Sequence, residues 1–252
     1  MINHFGINIQ EKPSNHINKE LYLSAKPEGM SGWTESSYVS QRIKADINYD
    51  SNMRYFDSLN YEKFNAHLGK LIKKFKLKEC MDLKKLEGKQ GLYVIVLDKY
   101  KQIYIGKSDD IKKRVHQGHW NKSKSLERLI FGDMFTSKIS IDSFVALDTT
   151  RVYYYLTYDC NKLEEKMVEY VDQNYLLNRT AGGIGSFETY TDDAASALLA
   201  VAANRKKRNL LQFTDLNRMK ELPKGTLEFY LRRYPELTTL MKRVCVEQQS
   251  VK

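Results

Sequence analysis

Tyr93, Tyr104, Lys107, Arg114, His116 and His119 fall within one short stretch of this sequence. A phenol, with an unperturbed pKa of about 10, accepts a proton at neutral pH only with help from nearby cations. Lys107 and Arg114 are the cations available to Tyr93. Arg114 also has the forked donors that grip a phosphate with two parallel hydrogen bonds. These residue types describe a site that moves a proton beside an oxyanion. A covalent tyrosyl-phosphate is the competing use of the same phenol.

Such side chains need elements that hold them together. Gly91 to Asp98 is an apolar run, Lys99-Tyr100-Lys101-Gln102 a polar tip, and Ile103 to Ser108 a second run, which is the pattern of a β-hairpin. On one hairpin Tyr93 and Tyr104 lie opposite or diagonal to each other. Gly106 is expected to end the second strand at a tight turn. Ser108-Asp109-Asp110 then caps a helix with Ile111 and Val115 on its buried face. Ile139–Asp142 and Val152–Tyr158 are further strand candidates, the second completing a small mixed sheet. From Asn161 to Val171, Leu163, Met167, Val168 and Val171 form a helical stripe; Glu164 borders it and Glu165 lies further toward solvent. The fold class expected is α/β of the α+β kind, a small central β-sheet flanked by helices.

Gly91-Leu92-Tyr93 followed by Tyr104-Ile105-Gly106 resembles the paired signature of the GIY-YIG nuclease family, with Leu92 in place of the usual isoleucine. The signature's spacing, the later arginine, and a downstream glutamate and asparagine also match, over roughly residues 88–185. The resemblance implies the GIY-YIG fold and a metal-dependent DNA endonuclease that hydrolyses phosphodiester bonds. Glu164 would be the single protein ligand of Mg²⁺, for which Mn²⁺ could substitute, with Glu165 the fallback. Tyr93 would accept the proton of the attacking water, Arg114 would hold phosphate, and Tyr104 and a histidine would orient water or phosphate. The family commonly places that histidine four residues after the arginine, where this chain has Gly118. His119 is the choice over His116, because a helix ending at Gly118 lets His119 fold back toward the hairpin. Asn178, ahead of Gly182-Gly183, would brace the site or contact phosphate.

Composition agrees with a polyanionic partner: formal charge is +10 and the pI about 9.3, a bias that favours nucleic acid. The charge is uneven. Residues 51–90 carry ten basic against five acidic side chains, 91–185 fourteen against twelve, and 186–252 twelve against eight. Three domains are expected: an N-terminal extension with a basic helix (1–87), the catalytic domain (88–185) and a helical, helix-turn-helix-like module (186–252). Lys70, Lys73 and Lys74 on the basic helix, with Arg205, Arg208, Arg232 and Arg233 in the last module, are the candidate nucleic-acid contacts. In that module Thr226 would cap the reading helix, which runs through Tyr234; a small packing subdomain is the alternative. Residues 1–60 either wrap onto the catalytic domain or form a loop that reads bases with Trp33, Arg42 or Lys44. The three cysteines form no C-x-x-C pair, and no apolar run reaches the ~18 residues of a membrane span. A soluble, cytoplasmic protein with DNA as partner, and a homodimer as a further association, is the expectation. A site-specific restriction or mobile-element enzyme comes first. A structure- or single-strand-directed repair or defence nuclease, or a catalytically silent DNA-binding protein, are the alternatives.

Overall fold

The computed structural model describes residues 1–179 apart from 13, 28–32, 123–124 and 132–133, and residues 224–238 apart from 234 and 236. The chain opens with a small hairpin, β1 (Ile2–His4) and β2 (Ile7–Ile9). After the short α1 (Lys19–Leu23) comes α2 (Glu35–Ser58), begun by a Thr34–Ser37 capping box. Asn60 caps α3 (Tyr61–Phe75), which buries Phe64, Leu68 and Leu71 as their spacing predicts. Then follow β3 (Lys78–Glu79), β4 (Gly91–Leu97), β5 (Gln102–Ser108) and, later, β6 (Arg151–Leu156).

These four strands form one sheet in the order β3-β6-β4-β5. Every neighbouring pair is antiparallel, so the sheet is not mixed as the sequence suggested. The central β4 is buried along its whole length. Side chains alternate, so Tyr93, Ile95 and Leu97 face one side and Leu92, Val94 and Val96 the other. The first face packs with Ile17, Tyr22, Ala45 and Phe56 from the N-terminal region and with Ile111 and Val115. Phe64, Leu68 and Leu71 of α3 cover the second face, with Met167 and Val168 of α5 (Cys160–Tyr170). Layers on both faces explain why β4 reads as a continuous apolar run although its sheet is antiparallel.

Residues 1–60 thus share a core with the hairpin. Trp33 Nε1 donates to Glu127, Arg42 donates to the Tyr38 hydroxyl, and Lys44 is buried. None of the three reaches out on a loop. Ile139–Asp142 is not a strand. The Ser140 hydroxyl accepts from Asp142 N and opens a single tight turn, Ile141–Ser143, while Ile139 N donates to the Asn52 side chain. Side-chain capping by serine displaced the strand that β-branched residues favoured.

A last helix, α6 (Lys224–Arg233), begins before Thr226, which lies inside it rather than at its cap position; Tyr234, the expected end, lies outside the described residues. Its Tyr230 is buried with Ile43, Ile47, Met134 and Leu237, and the Tyr230 hydroxyl donates to Asp50. The preceding helix of the expected helix-turn-helix lies outside the described residues, as do Arg205, Arg208 and the Arg233 side chain. Among the described residues no helix is long and apolar enough to cross a membrane.

Candidate active site

The hairpin register pairs Tyr93 with Gly106 and Ile95 with Tyr104, so the two tyrosines are diagonal neighbours, ring centroids 6.3 Å apart. Gly106 does not end the strand but sits inside β5. Its role is space: a Cβ there would come within 2.3 Å of the Tyr93 hydroxyl. The Tyr93 ring therefore lies across the glycine.

The capped helix α4 (Ile111–Lys113) widens at once into a π-helical turn, Arg114–Trp120, in which Asn121 N donates to His116 O. It does not stop at Gly118. A π-turn closes five residues on rather than four, so the residue stacked after Arg114 is His119. The reason for Gly118 is again space, since a Cβ there would meet Arg114 Cδ at 3.0 Å. His119 is fully buried, and its Nε2 lies 2.7 Å from the Tyr93 hydroxyl. His116 instead packs edge-on to Trp120. Of the two histidines, the wide turn delivers His119.

The other imidazole nitrogen, Nδ1, lies 2.8 Å from Asp142 Oδ1. Lys122 Nζ is 3.2 Å and an Arg128 nitrogen 3.7 Å from Asp142 Oδ2. Burial pushes the His119 pKa below its usual 6.5, against the opposing pull of Asp142. The imidazole is then neutral, with Nδ1–H donating to the carboxylate and Nε2 accepting from the phenol. Burial alone would raise the Asp142 pKa, but bonding to His119 and the Lys122 charge bring it down to about 2. The result is a buried phenol–imidazole–carboxylate chain. Nothing in the sequence pointed to Asp142, Lys122 or Arg128, which come from loops between the recognisable elements.

Burial raises the Tyr93 pKa well above 10, with Tyr104 adding to the shift and Arg114 opposing it. Tyr104 is raised by burial too, with Arg114 again opposing. Arg114 thus pulls the Tyr93 pKa down as expected of a neighbouring cation, but burial outweighs it. Lys107 is not Tyr93's cation. It pairs across from Leu92 and projects from the other face of the sheet, where its Nζ sits 2.9 Å from Glu164 Oε2. Glu164 is buried and Glu165 exposed, as the helical stripe predicts. The Glu164 charge still reaches both phenols and raises their pKa values. Asn178 is a brace: its side chain accepts from Ile105 N (2.9 Å) and donates to Ile105 O (2.7 Å), extending the hydrogen bonding of β5.

Among the described residues no three His, Cys, Asp or Glu side chains cluster as a metal cage. A divalent ion would therefore have Glu164 alone from the protein. Lys107 engages one Glu164 oxygen and leaves the other without a partner among the described residues. A hard cation completed by water and substrate oxygens fits such a position. Lys70, Lys73 and Lys74 are exposed on α3, with Lys74 Nζ 3.8 Å above the Tyr170 ring. They lie on the Glu164 side of the sheet, not on the Tyr93 side. Arg232 is 84% exposed and pairs with Glu228 at 3.8 Å. In comparisons with known proteins, the chain matches no family model, no curated protein and no solved structure.

Proposed function

We propose that the chain is a metal-dependent endonuclease of the GIY-YIG type that hydrolyses nucleic-acid phosphodiesters, DNA first. The observation that carries this reading is the Tyr93–His119–Asp142 chain, seated where the two Gly-Tyr half-signatures meet and beside Arg114. Water attacks phosphorus and gives its proton to the Tyr93 oxygen as the Tyr93 proton passes to His119 Nε2. Asp142 stabilises the imidazolium that forms. The phosphorus–oxygen bond to the leaving 3′ oxygen breaks, and that oxygen is protonated from solvent. A high phenol pKa suits this route, because the oxygen relays a proton and never stands as a free phenolate. Arg114 grips the non-bridging oxygens. Glu164, whose charge reaches both phenols past the edge strand β5, would hold the divalent ion on a phosphate seated at that edge; when bound, the ion supplies positive charge to the phosphate and the leaving oxygen.

Tyr93 has no exposed surface, so water must enter past Arg114 or Tyr104. The same burial disfavours a covalent tyrosyl intermediate, which would need phosphorus in contact with the phenol. The test is to incubate the pure protein and Mg²⁺ with plasmid, single-stranded DNA and RNA, and to sequence the ends. Cleavage that Tyr93→Phe and Glu164→Gln both abolish supports the reading. A protein that binds DNA and cuts none of these substrates would be the silent alternative.

A further inference from the structure

A shallow cleft opens behind Asp142, floored by Leu129 and lined by Lys122, Ser125, Arg128, Ser140, Asp142 and Ser143. It is a half-open cleft rather than an enclosed pocket, so a ligand there would rest on its rim with part of its surface in water. We propose that this cleft binds a nucleic-acid phosphodiester, the one neighbouring the phosphate presented to Tyr93. The assignment rests on the nuclease reading for its place beside the cut.

Charge is the first support. One carboxylate faces two permanent cations and the imidazole, and its Oδ1 is already taken by His119. Lys122 and Arg128 share the remaining oxygen, Arg128 only loosely at 3.7 Å. Neither side chain has another hydrogen-bond partner among the described residues, and they stay 31% and 49% exposed. An ammonium has three donors and a guanidinium five, so most of their donor capacity is left for a ligand.

The second support is independent. Ser143 is 2% exposed, lines the cleft, and its hydroxyl has no partner among the described residues. Its oxygen is not sealed inside the protein but opens onto the cleft, where the hydroxyl is free to donate to a ligand. Ser140 Oγ accepts from Asp142 N and retains its proton for donation. Two cations and two hydroxyl donors converge on one small space. Because Asp142 joins that space to His119, a phosphate seated there lies one imidazole away from the Tyr93 hydroxyl.

The test measures binding of a labelled duplex by the full chain, without metal, over a range of salt. Removing one cation from a phosphate lowers the salt slope by about 0.9, so Lys122→Gln/Arg128→Gln should lower it by about two. Lys99→Gln, at the far end of the hairpin, should leave it unchanged. In parallel, inorganic phosphate is titrated while the Ser143 amide is followed by NMR; a saturable shift should appear in the wild type and disappear in the double variant and in Ser143→Ala. A wild type that cuts DNA while the double variant keeps the full slope overturns the subsite and leaves the nuclease reading standing. A reduced slope in a protein that cuts nothing keeps the subsite and removes the nuclease reading. A phosphate shift with no change of slope overturns the assignment to nucleic acid in favour of free phosphate.

Discussion

At the scale of single residues, the account turns on His119 being neutral and Tyr93 being its donor. Tyr93→Phe retains the ring over Gly106 and removes the proton, so cleavage should fall by ~10²-fold or more while the melting temperature stays close to wild type. Asp142→Asn removes the charge that steadies the imidazolium and should also slow the reaction. The pH dependence of stability has a definite sign. Burial lowers the His119 pKa, so between that value and 6.5 the unfolded chain binds more protons than the folded one. Stability rises with pH through that window and falls on acidification below 6.5. Asp142, lowered to about 2, adds a second loss as pH drops from the usual carboxylate range toward that value. Urea midpoints measured from pH 8 to 4 check the first loss; His119→Gln should reduce it, the remainder coming from His4, His67 and His116, whose pKa values burial also lowers.

At the scale of elements, two glycines are placed by packing rather than by turns. Gly106→Ala drives a methyl into the Tyr93 ring and should cost about 1–3 kcal/mol, as overpacking does, together with activity. Gly69, inside α3 with open space around it, is the contrast: Gly69→Ala should stabilise by up to about 1 kcal/mol. Thermal melts of the two variants decide this. The sequence made the hairpin, α3, α5 and the Glu164 register legible because each has a clear period, cap or stripe. It also favoured His119, though for the wrong reason, since no local pattern announces a π-turn. The long α2 was illegible for a physical cause. Its buried face is largely polar: Asn48 and Asn52 donate to the Ser137 carbonyl, and Lys19 pairs with Asp46 and Asp50. A helix that buries satisfied polar groups has no apolar stripe to read. Asp142 was hidden because its partner His119 is 23 residues away and only tertiary folding joins them.

At the scale of the whole molecule, charge and packing cannot be separated by simple truncation. The flanks carry most of the positive excess, which assigns them most of the non-specific affinity. Yet α6 contributes Tyr230 to a core with Ile43 and Ile47 of α2. Deletion from about residue 190 should therefore lower stability as well as DNA affinity, and Tyr230→Ala alone should cost roughly 3–5 kcal/mol in a denaturation curve. Arg232, exposed, is the cleaner probe. Arg232→Ala should leave the fold intact, and the change in its salt slope reports whether the residue touches phosphate.

The relay itself is tested most directly by the pH–rate profile of single-turnover, Mg²⁺-dependent cleavage. With neutral His119 as the final proton acceptor, the rate should rise along one acid limb with an apparent pKa below 6.5, then level off through neutrality. Asp142→Asn should move that limb to lower pH, because the carboxylate is what holds the imidazole pKa up against burial. A rate that instead climbs toward pH 10, following ionisation of a phenol, with no acid limb and no response to Asp142→Asn, would contradict the account.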